Sequence, residues 1–213
     1  MKKILLMSIM MLSLTGCQSA YYSAMEKVGI HKRDILVDRV EATKESQEKS
    51  QKQFQSSLEH LSALINFNGG ELQTVYEQLS DDYEASKSAA DTVTNKINKV
   101  EDVGLALFSE WETELEQYQS ASLKRESQKK LNQTQRQFNK LLRSMRRSEQ
   151  KMAPVLAALK DNTLYLKHNL NAQAISAIKG EFTNLKRDIQ TLIKDMNNSI
   201  DDSNKFIKQM NGI

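Results

Sequence analysis

Apolar residues recur at intervals of three and four along most of this chain, and no stretch alternates with a period of two. That pattern predicts helices and no strands. The first long segment, Ile30 to Asn66, contains no proline or glycine and places Val37, Val40, Phe54, Leu58, Leu61 and Ile65 on one stripe. Between Val40 and Phe54 only Ala42 is apolar, so this part of the stripe is expected to grip its neighbours weakly and to be the most mobile. Phe67-Asn68-Gly69-Gly70 predicts a stop and a tight reversal, because Asn and Gly accept the positive φ that ends helices.

The second segment, about Glu71 to Tyr118, carries Val93, Ile97, Val100, Gly104, Leu107, Trp111, Leu115 and Tyr118 as its seam. A break is expected near Ser80-Asp81-Asp82, where Ser80 has the chemistry of a helix cap and two acids suit a first turn. Gly104 costs about 1 kcal/mol relative to alanine in a helix interior, so a bulky side chain from a facing helix is expected against it. Ser122 is a candidate cap for the third segment, about Leu123 to His168, which repeats an apolar residue every seven positions from Leu131 through Phe138, Met145, Met152 and Leu159 to Leu166. Leu141 and Val155 extend this coiled-coil heptad. Pro154 interrupts it and removes one backbone hydrogen bond, predicting a kink or a fresh start; the unbroken phase favours the kink. After a turn at Asn169 to Ala172, the fourth segment carries Ile175, Ile178, Phe182, Leu185, Ile189, Leu192, Met196, Phe206 and Met210.

Segments of roughly 35 to 50 residues, at about 1.5 Å per residue, span on the order of 50 to 75 Å, and short connections make neighbours antiparallel. The predicted fold is all-α: an elongated antiparallel bundle, or coiled coil, of about four long helices. With 39% hydrophobic and 6% aromatic residues, the chain lacks material for a thick core but has enough for narrow seams.

The first residues have a different character. Lys2 and Lys3 precede an apolar stretch from Ile4 to Leu14, and Leu14-Thr15-Gly16-Cys17 follows, the layout of a secretory leader. That stretch is about eleven residues, short of the roughly twenty needed to cross a bilayer. Leu14 to Cys17 resembles a bacterial lipobox, which implies cleavage before Cys17 and acylation of its thiol. Each buried CH₂ contributes about 0.8 kcal/mol, and stable anchoring takes more than one acyl chain. Gln18 after the cysteine, by resemblance to lipoprotein sorting in Gram-negative bacteria, directs the protein to the periplasmic side of the outer membrane. The resulting plan is a leader over 1–16, an anchor and juxtamembrane segment over 17–33, and a bundle over 34–213. Cys17 is the only cysteine, so no internal disulfide is available.

Within the juxtamembrane segment Tyr21, Tyr22, Lys27, Lys32 and Arg33 form a candidate membrane-docking patch, aromatic rings beside cations suiting the head-group layer. The competing reading is a short helix folded onto the bundle. Farther on, Glu71 to Gln119 holds twelve acids against three lysines, and Leu123 to Lys151 holds ten Lys or Arg against two Glu. Arms of opposite sign attract along their length, although exposed pairs contribute only about 0.2 to 1 kcal/mol each. Arg136, Lys140, Arg143, Arg146 and Arg147 are therefore read as an inter-helix charge face, with an anionic partner as the alternative. Nucleic acid is not expected, because no base-reading motif or aromatic series accompanies the arginines.

Signs of chemistry are sparse. His31, His60 and His168 have no second ligand at metal spacing. Asp81-Asp82 and Asp201-Asp202 are adjacent pairs, which diverge on a helix and are read as helix starts or solvated turns. No nucleophile elbow or phosphate loop is present. The expectation is no enzyme, no metal and no cofactor.

The run from Tyr21 to Val40, Y-Y-S-A-M-E-K-V-G-I-H-K-R-D-I-L-V-D-R-V, and the run from Leu159 to Ala172, L-K-D-N-T-L-Y-L-K-H-N-L-N-A, resemble an uncharacterised family of proteobacterial lipoproteins classed as a domain of unknown function. The resemblance covers the mature chain and implies no catalytic or binding residues. The functional expectation is a lipid-anchored periplasmic scaffold or tether that acts through protein contacts, with membrane attachment at Cys17 and self-association as a further expectation. One alternative is a periplasmic chaperone or adaptor for clients or anionic envelope material. Another is a membrane-active helical protein, for which Val103 to Phe108, the densest apolar stretch after the leader, is far too short to span.

Overall fold

A helix with one apolar stripe cannot bury it alone, and four such helices in up-down-up-down order close their stripes into one narrow core. A computed structural model describes residues 16–66 and 71–212. Five helices follow in order: α1 (Gly16–Lys27), α2 (Lys32–Ile65), α3 (Leu72–Leu115), α4 (Ala121–His168) and α5 (Ala172–Met210). No strand occurs among the described residues. The reversal expected at Phe67 to Gly70 and the leader as far as residue 15 lie outside the described residues.

The long helices form a ring in chain order, α2 against α3, α3 against α4, α4 against α5 and α5 against α2. Cross-helix bonds give the sense of each neighbour. Ser57 and Ser86 hydroxyls lie 2.9 Å apart, while Lys32 Nζ donates to Glu110 at 2.8 Å, so α3 descends as α2 rises. Gln135 Nε2 donates to Glu112, Lys140 Nζ to Asp202 and Gln51 Nε2 to Asn197, each at 2.9 Å, tying the remaining pairs together.

The heptad positions of α4 are buried from Leu131 to Leu166, and Val93, Ile97, Val100, Ile178, Leu185, Ile189, Leu192 and Met196 face them. Gly104 does admit a bulky neighbour: a Cβ there would land on the ring of Phe138. That ring also meets Phe108 and Phe206 at centroid distances of 5.3 and 6.1 Å. Glycine on α3 thus lets three helices share an aromatic cluster near one end.

Four expectations are corrected. The stretch from Val40 to Phe54 does not lack grip, because Thr43, Gln47 and Ser50 continue the stripe and are fully buried. Gln47 donates to Ser148 on α4 at 2.9 Å and accepts from Ser199 on α5 at 3.1 Å, so one amide joins three helices across the core. Second, α3 runs unbroken through Ser80-Asp81-Asp82, since Asp82 lies on the buried face. Third, Ser120 rather than Ser122 caps α4, its hydroxyl accepting from the Leu123 amide at 3.4 Å. Fourth, the boundary drawn between 33 and 34 falls inside α2. Pro154 gives no fresh start: α4 is one helix of 48 residues, and the ring sits on its exposed side, where water can reach the carbonyl left without an amide partner.

Candidate functional site

The end of the bundle nearest the amino terminus is assembled from three helices. Gly29, at φ +84°, gives the chain the left-handed turn that reverses α1 into α2. α1 is thereby folded back so that Tyr22 is buried and Met25 packs on the same core. Lys32, at the start of α2, hydrogen-bonds Glu26 of α1 and Glu110 of α3, and its ammonium lies 5.8 Å from the centre of the Tyr22 ring. Burial pulls the Lys32 ammonium down, but its bonds to Glu110 and Glu26 outweigh this and hold it above its usual range. The bond from Lys32 holds the Glu26 carboxyl below its ordinary value of 4.5. Burial, reinforced by the Asp102 carboxylate, raises the Tyr22 phenol above its ordinary value of 10.0.

These contacts correct the docking patch. Tyr22 and Lys32 are taken up inside the protein, as the folded-back alternative has it. Tyr21, Lys27 and Arg33 remain exposed, next to Val28 and Ile30, which are 71% and 37% exposed. Cys17 lies in the backbone of α1, and its side chain is outside what is described.

The charge face divides in two. Arg146 is the member that reaches the acidic helix, bonding Glu101 and, at 2.8 Å, Asn98, and it also holds Glu149 on its own helix. Burial lowers the Arg146 guanidinium, but the bonds to Glu101 and Glu149 more than compensate. Lys140 turns the other way, to Asp202 on α5. Arg136, Arg143 and Arg147 are exposed and, among the described residues, form no ion pair. With Arg125, Lys129, Lys140 and Lys151 they occupy one outward sector about 80° wide and about 40 Å long, given 100° and 1.5 Å per residue. Most of the basic arm therefore faces solvent. Sequence spacing carried this signal, but charge totals hide it because a net charge does not say which side of a helix bears it.

His60 and Asp82 are a pair that separate reading of histidines and acids misses. His60 Nδ1 lies 2.6 Å from Asp82 Oδ2 across the α2–α3 seam, with Asp82 nearly buried. His31 starts α2, its backbone amide donating to Asp34 at 3.4 Å, and His168 ends α4. Asp201 is exposed, while Asp202 receives Lys140. Among the described residues, no three His, Cys, Asp or Glu side chains gather where a metal could be held.

The model of a family described as "Protein of unknown function (DUF2959)" matches residues 21–210, from the folded-back α1 to the end of α5. The chain belongs to the DUF2959 family. No curated protein and no solved structure matches it. The family match takes in the Tyr22–Lys32 latch, the polar layer around Gln47 and the basic sector of α4, so in this DUF2959 member all three belong to the family domain. Among the described residues, no helix is long and apolar enough to cross a membrane.

Proposed function

We propose that this DUF2959 protein is a lipid-anchored envelope scaffold: Cys17 carries acyl chains, the leader is removed, and the bundle acts by presenting long charged faces to protein partners on the periplasmic side of the outer membrane. The observation that carries the reading is the separation of charge on a bundle with a continuous core. Most acids of α3 and most cations of α4 are exposed on adjacent helices, so each helix offers a long charged surface suited to contact. The Leu14 to Cys17 motif supports attachment, and exposed Tyr21, Lys27, Val28 and Ile30 support a position close to a membrane surface.

Two linked measurements test this. The wild-type protein is expected in the membrane fraction and Cys17→Ser in the soluble fraction, with the same helical circular dichroism in both. In-cell crosslinking from photoreactive residues at Arg143 and Glu112 is expected to capture a defined protein band. Cys17→Ser remaining with membranes, or the absence of any captured band, would count against anchoring and contact respectively.

A further inference from the structure

We infer that the face shared by α3 and α4 is where a second copy of this chain binds, side by side and pointing the same way. Along this face, the helix bearing acids and the helix bearing cations are matched in height. Gln135 reaches Glu112 and Arg146 reaches Asn98, so the stretch of α4 from about 135 to 146 stands level with α3 from about 112 to 98. Glu112 on α3 is exposed, as are Arg136, level with it on α4, and Arg143 farther along the same stretch.

A two-fold axis parallel to the shaft brings α3 of one copy against α4 of the other, and the reverse, at equal height. Acid then meets base on both sides of the axis. A two-fold axis across the shaft would instead set α3 against α3 and α4 against α4, with like charges facing. Opposed charges therefore select the parallel arrangement, by the same rule that fixes partner and direction in coiled coils.

This face carries one exposed leucine among polar side chains. Leu105 is 61% exposed and borders a groove between α3 and α4 whose floor includes Phe108 and Phe138. Half-buried Leu142 packs on the same core from α4. With α1 latched to α2 and α3 through Lys32, Glu26 and Glu110, the α3–α4 side is left open among the described residues. The parallel sense agrees with the proposed anchoring, since two copies held in one bilayer leaflet share a direction. The contact itself does not require it.

The test uses full-length protein in detergent with a short thiol-specific bismaleimide. Leu105→Cys is expected to give a covalent dimer, whereas Lys52→Cys, on the exposed side of α2, should give none. Glu112→Arg or Arg136→Glu alone should reduce the Leu105→Cys dimer severalfold, and the two together should restore it. The parent sets the background. Reaction there through Cys17 would speak against acylation, while the difference between positions 105 and 52 still judges the surface. Failure of Leu105→Cys to crosslink, equal crosslinking at 52, or no rescue by the double reversal overturns the proposal. A dimer that forms only on adding heparin or vesicles containing anionic phospholipid overturns it too, in favour of a polyanion on the basic sector.

Discussion

Gly104 and Phe138 form the tightest fit in the core, and their fit runs against helix propensity. Alanine favours a helix interior over glycine by about 1 kcal/mol, yet a methyl at 104 would occupy the Phe138 ring. Overpacking costs typically 1 to 3 kcal/mol, so Gly104→Ala is expected to lower stability in urea unfolding by up to about 2 kcal/mol. Adding Phe138→Leu should return part of the loss, and a stabilised Gly104→Ala would disprove the fit. This contact was legible in the sequence because a glycine within an apolar stripe asks for a partner. Gln47 was not, because a stripe traced through apolar residues alone passes over an amide. Gln47→Ala leaves Ser148 and Ser199 each one partner short and is expected to cost about 2 kcal/mol. Replacing all three by Gln47→Leu, Ser148→Ala and Ser199→Ala should recover that loss, since removing every partner leaves nothing unpaired.

Individual helices were readable to within a few residues where stripe and breaker coincide, as at the Asn169 to Ala172 turn. α1 was harder to place, since Tyr22 and Lys32 suit both a head-group layer and a protein groove, and only their partners in α2 and α3 decide between them. The latch has a definite response to pH. The Glu26 carboxyl is depressed in the folded protein, so its contribution is present above its unfolded value and is lost as pH falls through the folded one. Lys32 is raised, so its contribution holds below its unfolded value and is lost as pH rises through the folded one. Docking of α1 is therefore strongest around neutrality. Protection of amides 20–27 from hydrogen exchange, measured against the intrinsic rate at each pH, should be high at neutral pH and lower in acid, and Lys32→Ala should show little protection at either. Equal protection of Lys32→Ala and wild type at neutral pH would show that Tyr22 packing alone holds the helix.

Taken whole, the molecule is a shaft whose longest helix, at about 1.5 Å per residue, is about 72 Å long. Small-angle scattering should return a maximum dimension near that length, and side-by-side pairing should enlarge the cross-section while leaving the length nearly unchanged. A doubled length would mean end-to-end association and would contradict the shared α3–α4 face. The ring order of helices was not legible in the sequence, because each of several cyclic arrangements buries the same stripes. Opposite charge on α3 and α4 pointed to their adjacency, but not to the outward direction of most of the cations.

Attachment is the claim on which the location of the bundle and its orientation to a membrane depend. Intact mass spectrometry of the protein purified from membranes addresses it directly. The account predicts a chain beginning at Cys17 with the added mass of acyl groups, and fragment ions placing that mass on Cys17. A chain that retains Met1 to Gly16, or one that begins at Cys17 with a free thiol, would contradict it.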